Sequence, residues 1–519
     1  MESSADESYI AALDIGTTFI KCHVYSKTLQ IIGSASSKID ALYRIGRAEQ
    51  IDAEVLWKSI IRTAQESFKN SNVLAKQIAC MGISCQRNTF ITWDRDSLRP
   101  FHNFITWKDM RSESLVQSWN NSFFIKVIKW ICYFIYLFTG NERYLAASLL
   151  TFANVQVTMR LLWQLENNEE LKEALKNGTV MFGTLDTWLM YRLTKGNVYQ
   201  TDISCASATG LYDPFLSKWA SFTKMLNIPV TLLPNVCDSA GSHLGYVSPE
   251  IWGSPIRITC SMADQSASFY GSCCFFPGDV KLTLGTGAFL DINVGSTPVV
   301  SRKGFYPLVS WKYKGEKVYV LEGACHDCGT VINWAQSIGL FSDVNELNEI
   351  VAMESDTDNV FFIPAFSGLQ IPINDASATS GFIGIKQSTS KSQMVRAVLE
   401  SIVFQIYDLY SVYKSESKLH SKSFIRVDGG VSKNDFICQS IADMCEVFVR
   451  RPNSVEMSAR GVAHLAGLAA GLCKDYDVLN EMESSDVVFE PKIGNKQYLF
   501  NQFATWKKAQ RRFTKWYQK

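Results

Sequence analysis

Two short turns in the sequence combine glycine with hydroxyl side chains, a composition suited to holding phosphate. The first, Asp14–Thr18, reads DIGTT, and the second, Gly285–Gly287, reads GTG. Turns with so little side-chain bulk let backbone N–H groups converge on an anion. One such turn alone is more typical of a purely structural turn, but two that face each other could clamp one polyphosphate. Asp14 adds a carboxylate at the end of the first strand, placed to hold Mg²⁺ beside the phosphates.

A third glycine-rich element follows an apolar run near the end of the chain. Residues 427–434 read VDGGVSKN, which predicts a strand running into Gly429-Gly430 at the start of a helix. A nucleotide could lie against this bare backbone, with Asn434 supplying amide hydrogen bonds. The sequence contains no GxxxxGK[ST] string, so nucleotide chemistry here is not of the P-loop kind.

The first two turns lie within segments that look like two copies of one structural unit. Ile10–Tyr25 and Val280–Val294 each read as an apolar, β-branched run, a small-residue turn and an alternating run, which predicts strand–turn–strand units. The simplest interpretation is a duplicated α/β domain pair with its boundary near residues 271–278. The flanking patterns predict helices over Glu54–Asn70 and Lys391–Tyr410, and strands over Ile78–Ser84 and Phe424–Val427.

Composition excludes several classes of protein. The 519 residues are 47% hydrophobic and 19% charged, with a net charge of +1, so neither a disordered chain nor a nucleic-acid-binding protein is expected. Fourteen cysteines are too few for a disulfide scaffold. The N-terminal residues are acidic and lack the pattern of a signal peptide, so we expect a cytoplasmic location. The single CxxC string at Cys325–Cys328 is weak evidence for a metal, and the six histidines are scattered.

Two segments have apolar patterns that leave alternatives open. Phe123–Phe138 is strongly apolar, but its uninterrupted part, Trp130–Phe138, is far shorter than the roughly 20 residues of a membrane-spanning helix. It is either an insert covered by the fold or a partner, or a peripheral membrane helix. Aromatic residues between Leu499 and Trp516 keep helical spacing with basic residues between them, which predicts a terminal helix packed by its aromatic face. Attraction of its basic face to an anionic membrane or partner is the alternative.

The three glycine-rich elements, in this order and spacing, resemble those of the sugar-kinase/actin/Hsp70 superfamily. Further strings resemble the FGGY carbohydrate kinases, and within them the glycerol kinases. These strings are Gly82–Trp93, Trp107–Arg111, Ala263–Gln265, Phe362–Leu369 and Ser380–Glu400. The resemblance implies an α/β fold of two actin-like domains, each built on a ribonuclease-H-type sheet, closing over a central cleft. It places an N-terminal, substrate-side domain at residues 9–271 with an apolar insert at 121–141, a nucleotide-side domain at 278–475, and an extension with a basic amphipathic helix at 476–519.

The resemblance also implies roles for individual residues. Asp264 would be the general base, although its local sequence equally suits a helix-capping aspartate. The implied substrate contacts are Arg87, Asn88, Trp107, Asp264, Gln265 and Phe289. The implied contacts to ATP are Thr17, Thr18, Lys21, Thr286, Gly329, Asn333, Gly430 and Asn434, with Asp14 reaching Mg²⁺, through water.

Several departures from the family pattern limit what can be carried over. Asn88 stands where glycerol kinases have Glu, and Val155 where they have an aromatic substrate contact. Lys21 replaces an Arg, and Asn333 a Gln. We therefore expect ATP-dependent phosphorylation of glycerol to sn-glycerol 3-phosphate. The alternatives are a kinase for another polyol or sugar, and a weakly active nucleotide-dependent binding protein that engages a partner through the 123–138 insert.

Overall fold

The computed structural model describes residues 8–39, 42–416, 424–454, 456–474, 479 and 486–517. The first half contains the strands β1 Tyr9–Ile15, β2 Phe19–Tyr25, β3 Ile31–Lys38, β4 Leu42–Ile45, β5 Ala48–Ile51, β6 Ile78–Cys85, β7 Phe90–Asp94, β8 Phe104–Ile105, β9 Val180–Thr184, β10 Gln200–Asp202, β11 Tyr212–Asp213, β12 Lys218–Trp219, β13 Asn235–Cys237 and β14 Arg257–Ala263. Its helices are α1 Ala53–Asn70, α2 Glu113–Asn121, α3 Phe123–Thr139, α4 Glu142–Leu149, α5 Val157–Asn167, α6 Glu169–Asn177, α7 Leu185–Leu193, α8 Ile203–Ala208, α9 Pro249–Trp252 and α10 Asp264–Gly271.

The second half has the same mixture of strands and helices. Its strands are β15 Val280–Leu284, β16 Ala288–Gly295, β17 Tyr306–Tyr313, β18 Glu316–Cys325, β19 Phe361–Ile363, β20 Gly381–Ile383, β21 Phe424–Asp428, β22 Phe448–Arg451 and β23 Val487–Phe489. Its helices are α11 Gly329–Ser337, α12 Leu347–Ala352, α13 Lys391–Glu416, α14 Asp435–Cys445, α15 Met457–Ala470 and α16 Ile493–Gln510.

Two sheets with matching topology form the centres of the two halves. The first has the order β14-β6-β1-β2-β3, and the second has the order β17-β18-β16-β15-β21-β22-β23. In each, an antiparallel hairpin (β1–β2 or β15–β16) is followed by two parallel strands (β6 and β14, or β21 and β22). This repeated arrangement confirms the predicted α/β fold with two ribonuclease-H-type sheets. The glycine-rich turns close the two hairpins, because Ile15 pairs with Ile20 and Leu284 pairs with Ala288.

The two halves meet where helices α10 and α15 cross at glycines. A Cβ atom added to Gly461 would lie 2.0 Å from the carbonyl oxygen of Ala267, and one added to Gly271 would lie 2.2 Å from that of Met457. Helix α15 belongs to the second half of the sequence but packs against β6, β14 and β1 of the first sheet. The same holds at Gly82, whose Cβ would lie 2.3 Å from the carbonyl oxygen of Val462. The contact between the halves therefore depends on close approach of backbones that only glycine permits.

The predicted elements agree with the structure apart from their ends. Helix α1 spans Ala53–Asn70 and strand β6 spans Ile78–Cys85, within one residue of prediction. Helix α13 continues six residues past the predicted end. The C-terminal helix begins at Ile493 and ends at Gln510, so the predicted aromatic positions 513 and 516 lie beyond it. Its aromatic face packs as expected, because Trp506 is buried against Phe404 with ring centroids 5.7 Å apart.

Candidate active site

The first glycine-rich turn carries Asp14 and Thr17 to one edge of the first sheet. Ser84 Oγ, at the end of the adjacent parallel strand β6, donates a hydrogen bond of 2.7 Å to Asp14 Oδ1. Burial raises the pKa of Asp14, and the Ser84 hydrogen bond and the Lys21 charge partly oppose this. Trp107 Nε1 donates a 3.2 Å hydrogen bond to Thr17 Oγ1. A predicted substrate contact and a predicted phosphate contact are thus joined directly.

Asp264 lies at the point where strand β14 ends and helix α10 begins. Because β14 runs parallel to β6 with Ala263 opposite Cys85, the residues that follow these two strands come out at the same sheet edge. Gln265 N donates a 2.8 Å hydrogen bond to Asp264 Oδ1, while Oδ2 accepts no hydrogen bond from the described residues. Burial raises the pKa of Asp264 to about 6, the positive charge of Arg87 opposes this, and the negative charge of Asp14 adds to it. A carboxylate with this pKa can accept a proton near neutral pH.

Arg87 reaches from the first half of the chain to the second. Its Nη2 atom lies 2.7 Å from Glu322 Oε2, and its guanidinium carbon lies 5.7 Å from the centre of the Phe289 ring. Glu322 is on β18, directly opposite Asp291 on β16. The structure therefore brings Arg87 and Phe289 together, and the Arg87 charge acts on Asp264. Sequence reasoning missed Glu322, which holds Arg87 across the two halves.

Asn88 is held by its backbone and presents an unpaired amide oxygen. Its φ angle is 60°, and its carbonyl oxygen accepts a 2.7 Å hydrogen bond from Arg160 Nη2. The same Arg160 nitrogen donates to the carbonyl oxygen of Val155 at 2.8 Å, so Val155 contributes to the site edge through its backbone. Asn88 Oδ1 is buried without a hydrogen-bond partner among the described residues. A buried acceptor without a donor is costly, so this atom suits a substrate hydroxyl.

The second turn lies beside the start of helix α11. Gly329 N donates to Gly285 O at 2.9 Å, and Cys328 N donates to Thr286 O at 3.1 Å. Gly429 is also adjacent, because a Cβ there would lie 2.5 Å from the carbonyl oxygen of Leu284.

The remaining nucleotide-side residues lie on the elements that follow this turn. Gly430 faces open space, with no atom within 4 Å of the Cβ it would carry. Asn434 Oδ1 accepts a 2.9 Å hydrogen bond from Ile437 N and so caps helix α14. Asn333 is exposed on α11. The second turn, the α11 start and the Gly429–Gly430 bend thus form one surface of backbone with few side chains, as phosphate and nucleoside groups require.

Polar contacts tie helix α10, which begins at Asp264, to the second sheet. Thr283 Oγ1 donates to Gln265 Oε1 at 3.0 Å, which leaves the Gln265 amide nitrogen to donate to a substrate. Asp428 accepts a hydrogen bond from Ser268 Oγ of α10 and lies 2.9 Å from the ammonium of Lys281. Lys281 is fully buried, so this ion pair is shielded from solvent.

Lys21 lies in an ion pair, and the cysteines of the CxxC string lie in the core. Lys21 Nζ lies 2.7 and 2.8 Å from the two carboxylate oxygens of Glu456, a residue that sequence reasoning missed. Cys325 and Cys328 are buried. Within the described part of the chain no three histidine, cysteine or acidic side chains are grouped to hold a metal ion.

Comparison with known proteins assigns the chain to a family. The model of the N-terminal domain of the FGGY family of carbohydrate kinases matches residues 9–271, and that of the C-terminal domain matches residues 280–470. The chain belongs to this family. FGGY kinases are phosphotransferases with an alcohol group as acceptor, and kinase chemistry implies the use of ATP.

Similar proteins cover the chain over nearly its whole length. Glycerol kinase 5 of Bos taurus is 43% identical and covers 99% of this chain and 98% of its own. Glycerol kinase 2 of Thermotoga maritima is 34% identical and covers 98% of this chain and 99% of its own. The crystal structure of Plasmodium falciparum glycerol kinase with ADP superposes with a TM-score of 0.86 at 28% identity, covering 98% of both chains.

Proposed function

We propose that this FGGY kinase transfers the γ-phosphoryl group of ATP to glycerol, giving sn-glycerol 3-phosphate and ADP. The observation that carries the proposal is the carboxyl group of Asp264, which has a pKa near 6 and a free Oδ2 atom. The charges of Arg87 and of Asp14 in the first glycine-rich turn both act on it. Relatives named glycerol kinase at 34–43% identity over nearly the full length support glycerol as the acceptor.

In the proposed mechanism, Asp264 removes the proton from a primary hydroxyl of the acceptor. The hydroxyl oxygen forms a bond to the γ-phosphorus as the bond from phosphorus to the β,γ-bridging oxygen breaks, and ADP leaves with that oxygen. Arg87 and the Gln265 amide nitrogen would hold the acceptor hydroxyls, and Phe289 and Trp107 would contact its carbon chain. The backbone N–H groups of the two turns would offset negative charge on the phosphates.

The residues at the first turn fit a magnesium ion held mainly through water. Asp14 Oδ1 is occupied by Ser84, which leaves the other carboxylate oxygen to accept from a metal-bound water. Mg²⁺ keeps several waters and needs only one or two protein carboxylates, so a single aspartate is sufficient. When bound, the ion would neutralise charge on the β- and γ-phosphates.

A coupled assay of ADP release tests the acceptor directly. Purified protein is given ATP, Mg²⁺ and, in turn, glycerol, other polyols, pentuloses and hexuloses. Turnover greatest with glycerol is expected. Efficient phosphorylation of a ketose without turnover of glycerol would contradict the proposal.

A second candidate is a kinase for another polyol or sugar, which the Asn88 amide favours. Its unpaired oxygen accepts a hydroxyl hydrogen bond but brings no negative charge, unlike the glutamate expected here in glycerol kinases. The same acceptor panel separates this candidate from glycerol kinase. Nucleotide binding without turnover of any acceptor would instead support the weakly active binding protein.

A cytoplasmic location is also proposed. All fourteen cysteines are free thiols, twelve of them buried, and burial raises their pKa where it is shifted. Such thiols behave as small apolar side chains and suit a reducing compartment. Fractionation of cells that produce the native protein tests this, and recovery mainly from a secreted or lumenal fraction would contradict it.

A further inference from the structure

Most of the insert at residues 121–141 forms a single helix, which is capped at both ends and has apolar residues on both of its faces. Helix α3 begins after Ser122, whose hydroxyl accepts from Ile125 N, and ends at Gly140, which adopts a left-handed φ of 64°. On the inner face Ile125 is buried in the core beneath α2 and α5. Tyr136 contacts Arg302 of the second half, whose Nη2 donates to its hydroxyl at 3.4 Å. The helix is thus a fixed element held by the fold.

The outward face of α3 carries an exposed apolar strip. Phe123 is 82% exposed, Phe138 is 77% exposed, and the large residues between them on that side are also exposed. With 100° per residue, these side chains occupy one arc of the helix with no charged residue inside it. The members of the strip are Phe123, Phe124, Val127, Trp130, Ile131, Phe134, Leu137 and Phe138. Contiguous exposed surfaces of this kind in soluble proteins mark interaction sites.

Charge and composition point to lipid as the occupant of this strip. Residues 114–141 contain Lys126 and Lys129 but no acidic residue, so the charges on α3 itself are all positive. Lys126 is exposed beside the strip. Aromatic residues with lysines at their border are the composition of helices that lie in the headgroup region of anionic membranes.

The geometry favours a helix that lies on a bilayer. Within the described ranges no single helix is both long and apolar enough to cross a membrane, and α2 with α3 reaches that length only as a pair bent by 55°. Because Ile125 near the start of α3 is buried in the core and α3 packs on α4, the helix cannot turn perpendicular to the surface without breaking those contacts.

We propose that the outward face of α3 docks flat onto the interfacial region of an anionic lipid bilayer. The strip then enters the boundary between headgroups and acyl chains, while Lys126 pairs with lipid headgroup anions. The catalytic residues are not part of this contact, so the proposal stands independently of which acceptor the kinase uses.

Vesicle co-sedimentation of the full-length protein tests the proposal. The wild type is expected to bind vesicles of phosphatidylcholine with about 30% phosphatidylserine more tightly than pure phosphatidylcholine vesicles. The double variant Trp130→Ser/Phe138→Ser should bind at least about tenfold more weakly, because two large side chains no longer enter the lipid. Lys126→Gln should weaken binding to the anionic vesicles about fivefold, as expected for one lost positive charge.

A matched control alters equally exposed apolar residues elsewhere. Met353 and Ile385 are 73% and 55% exposed and lie far from α3 in the sequence, so Met353→Ser/Ile385→Ser should leave vesicle binding unchanged. Unchanged thermal unfolding and unchanged ADP release show that the variants remain folded. Absence of wild-type binding, or equal loss in the control variant, would overturn the proposal. A wild-type dimer that the Trp130→Ser/Phe138→Ser change dissociates, without vesicle binding, would assign the strip to a second copy of the chain and overturn it also.

Discussion

Replacing Arg87 by Gln should move the acid limb of the pH–activity profile to higher pH. Burial raises the pKa of Asp264 to about 6, and the positive charge of Arg87 is the largest influence that opposes this rise. A nearby opposite charge lowers a carboxyl pKa by about 1–3 units. The lower end applies here, because Glu322 Oε2 lies only 2.7 Å from Arg87 Nη2 and offsets part of its charge.

In Arg87→Gln the pKa of Asp264 should therefore rise by about one unit, from about 6 to about 7. The proposed base Asp264 can accept a proton only when it is deprotonated, so activity should be lost as pH falls through its pKa. At pH 6.5 the deprotonated fraction falls from about three quarters to about one quarter, a loss of about threefold that disappears above about pH 8. This loss adds to any pH-independent loss from weaker substrate binding.

The assay is kcat/KM for glycerol from pH 5 to 9, with ADP release as readout. Arg87→Lys keeps the positive charge and loses the two-pronged guanidinium contact, so its acid limb should stay near pH 6 while KM rises. Glu322→Gln removes a negative charge that raises the Asp264 pKa, so its acid limb should move to lower pH. An unchanged acid limb in Arg87→Gln, or an equal displacement in Arg87→Lys, would refute the argument.

Three further changes test the site and the contact between the halves. Asn88→Ala should raise the KM for glycerol about tenfold, because the unpaired Oδ1 no longer accepts a substrate hydroxyl; an unchanged KM would place glycerol elsewhere. Gly461→Ala should lower the free energy of unfolding in urea by about 2–3 kcal/mol, because the added Cβ meets the carbonyl oxygen of Ala267. Gly494→Ala is the control and should leave that free energy unchanged, because the added Cβ has open space. Equal effects of the two changes would contradict the close crossing of α10 and α15. Lys281→Met should lower the free energy of unfolding by about 3–5 kcal/mol, because it leaves the buried Asp428 without its positively charged partner. Lys386→Met breaks an exposed ion pair and is the control, with a loss of less than about 1 kcal/mol expected.

Local patterns predicted the parts of the site that depend on neighbouring residues. The two hairpins follow from β-branched runs interrupted by small residues, and the turn at Gly429 follows from a strand that meets two glycines. Asp264 was found because a family motif surrounds it, and its burial and unpaired oxygen required coordinates.

Contacts between distant segments could not be predicted in this way. Glu456 pairs with Lys21 across 435 residues, and Glu322 pairs with Arg87 across the two halves. Such partners depend on how two separately folded sheets come together, and one sequence carries no periodic signal for that. The exposure of the apolar strip of α3 could not be predicted either, because an apolar helix sequence is also typical of a buried core helix.

The most direct test of the account is a single-turnover measurement with Asp264→Asn. The asparagine has nearly the same shape but cannot accept the proton, so we expect phosphoryl transfer to glycerol to fall about 10²–10⁴-fold while ATP binding is retained. Nearly wild-type transfer by Asp264→Asn, at unchanged nucleotide affinity, would show that the Asp264 carboxylate does not take the proton. That result would contradict the proposal that Asp264 is the general base.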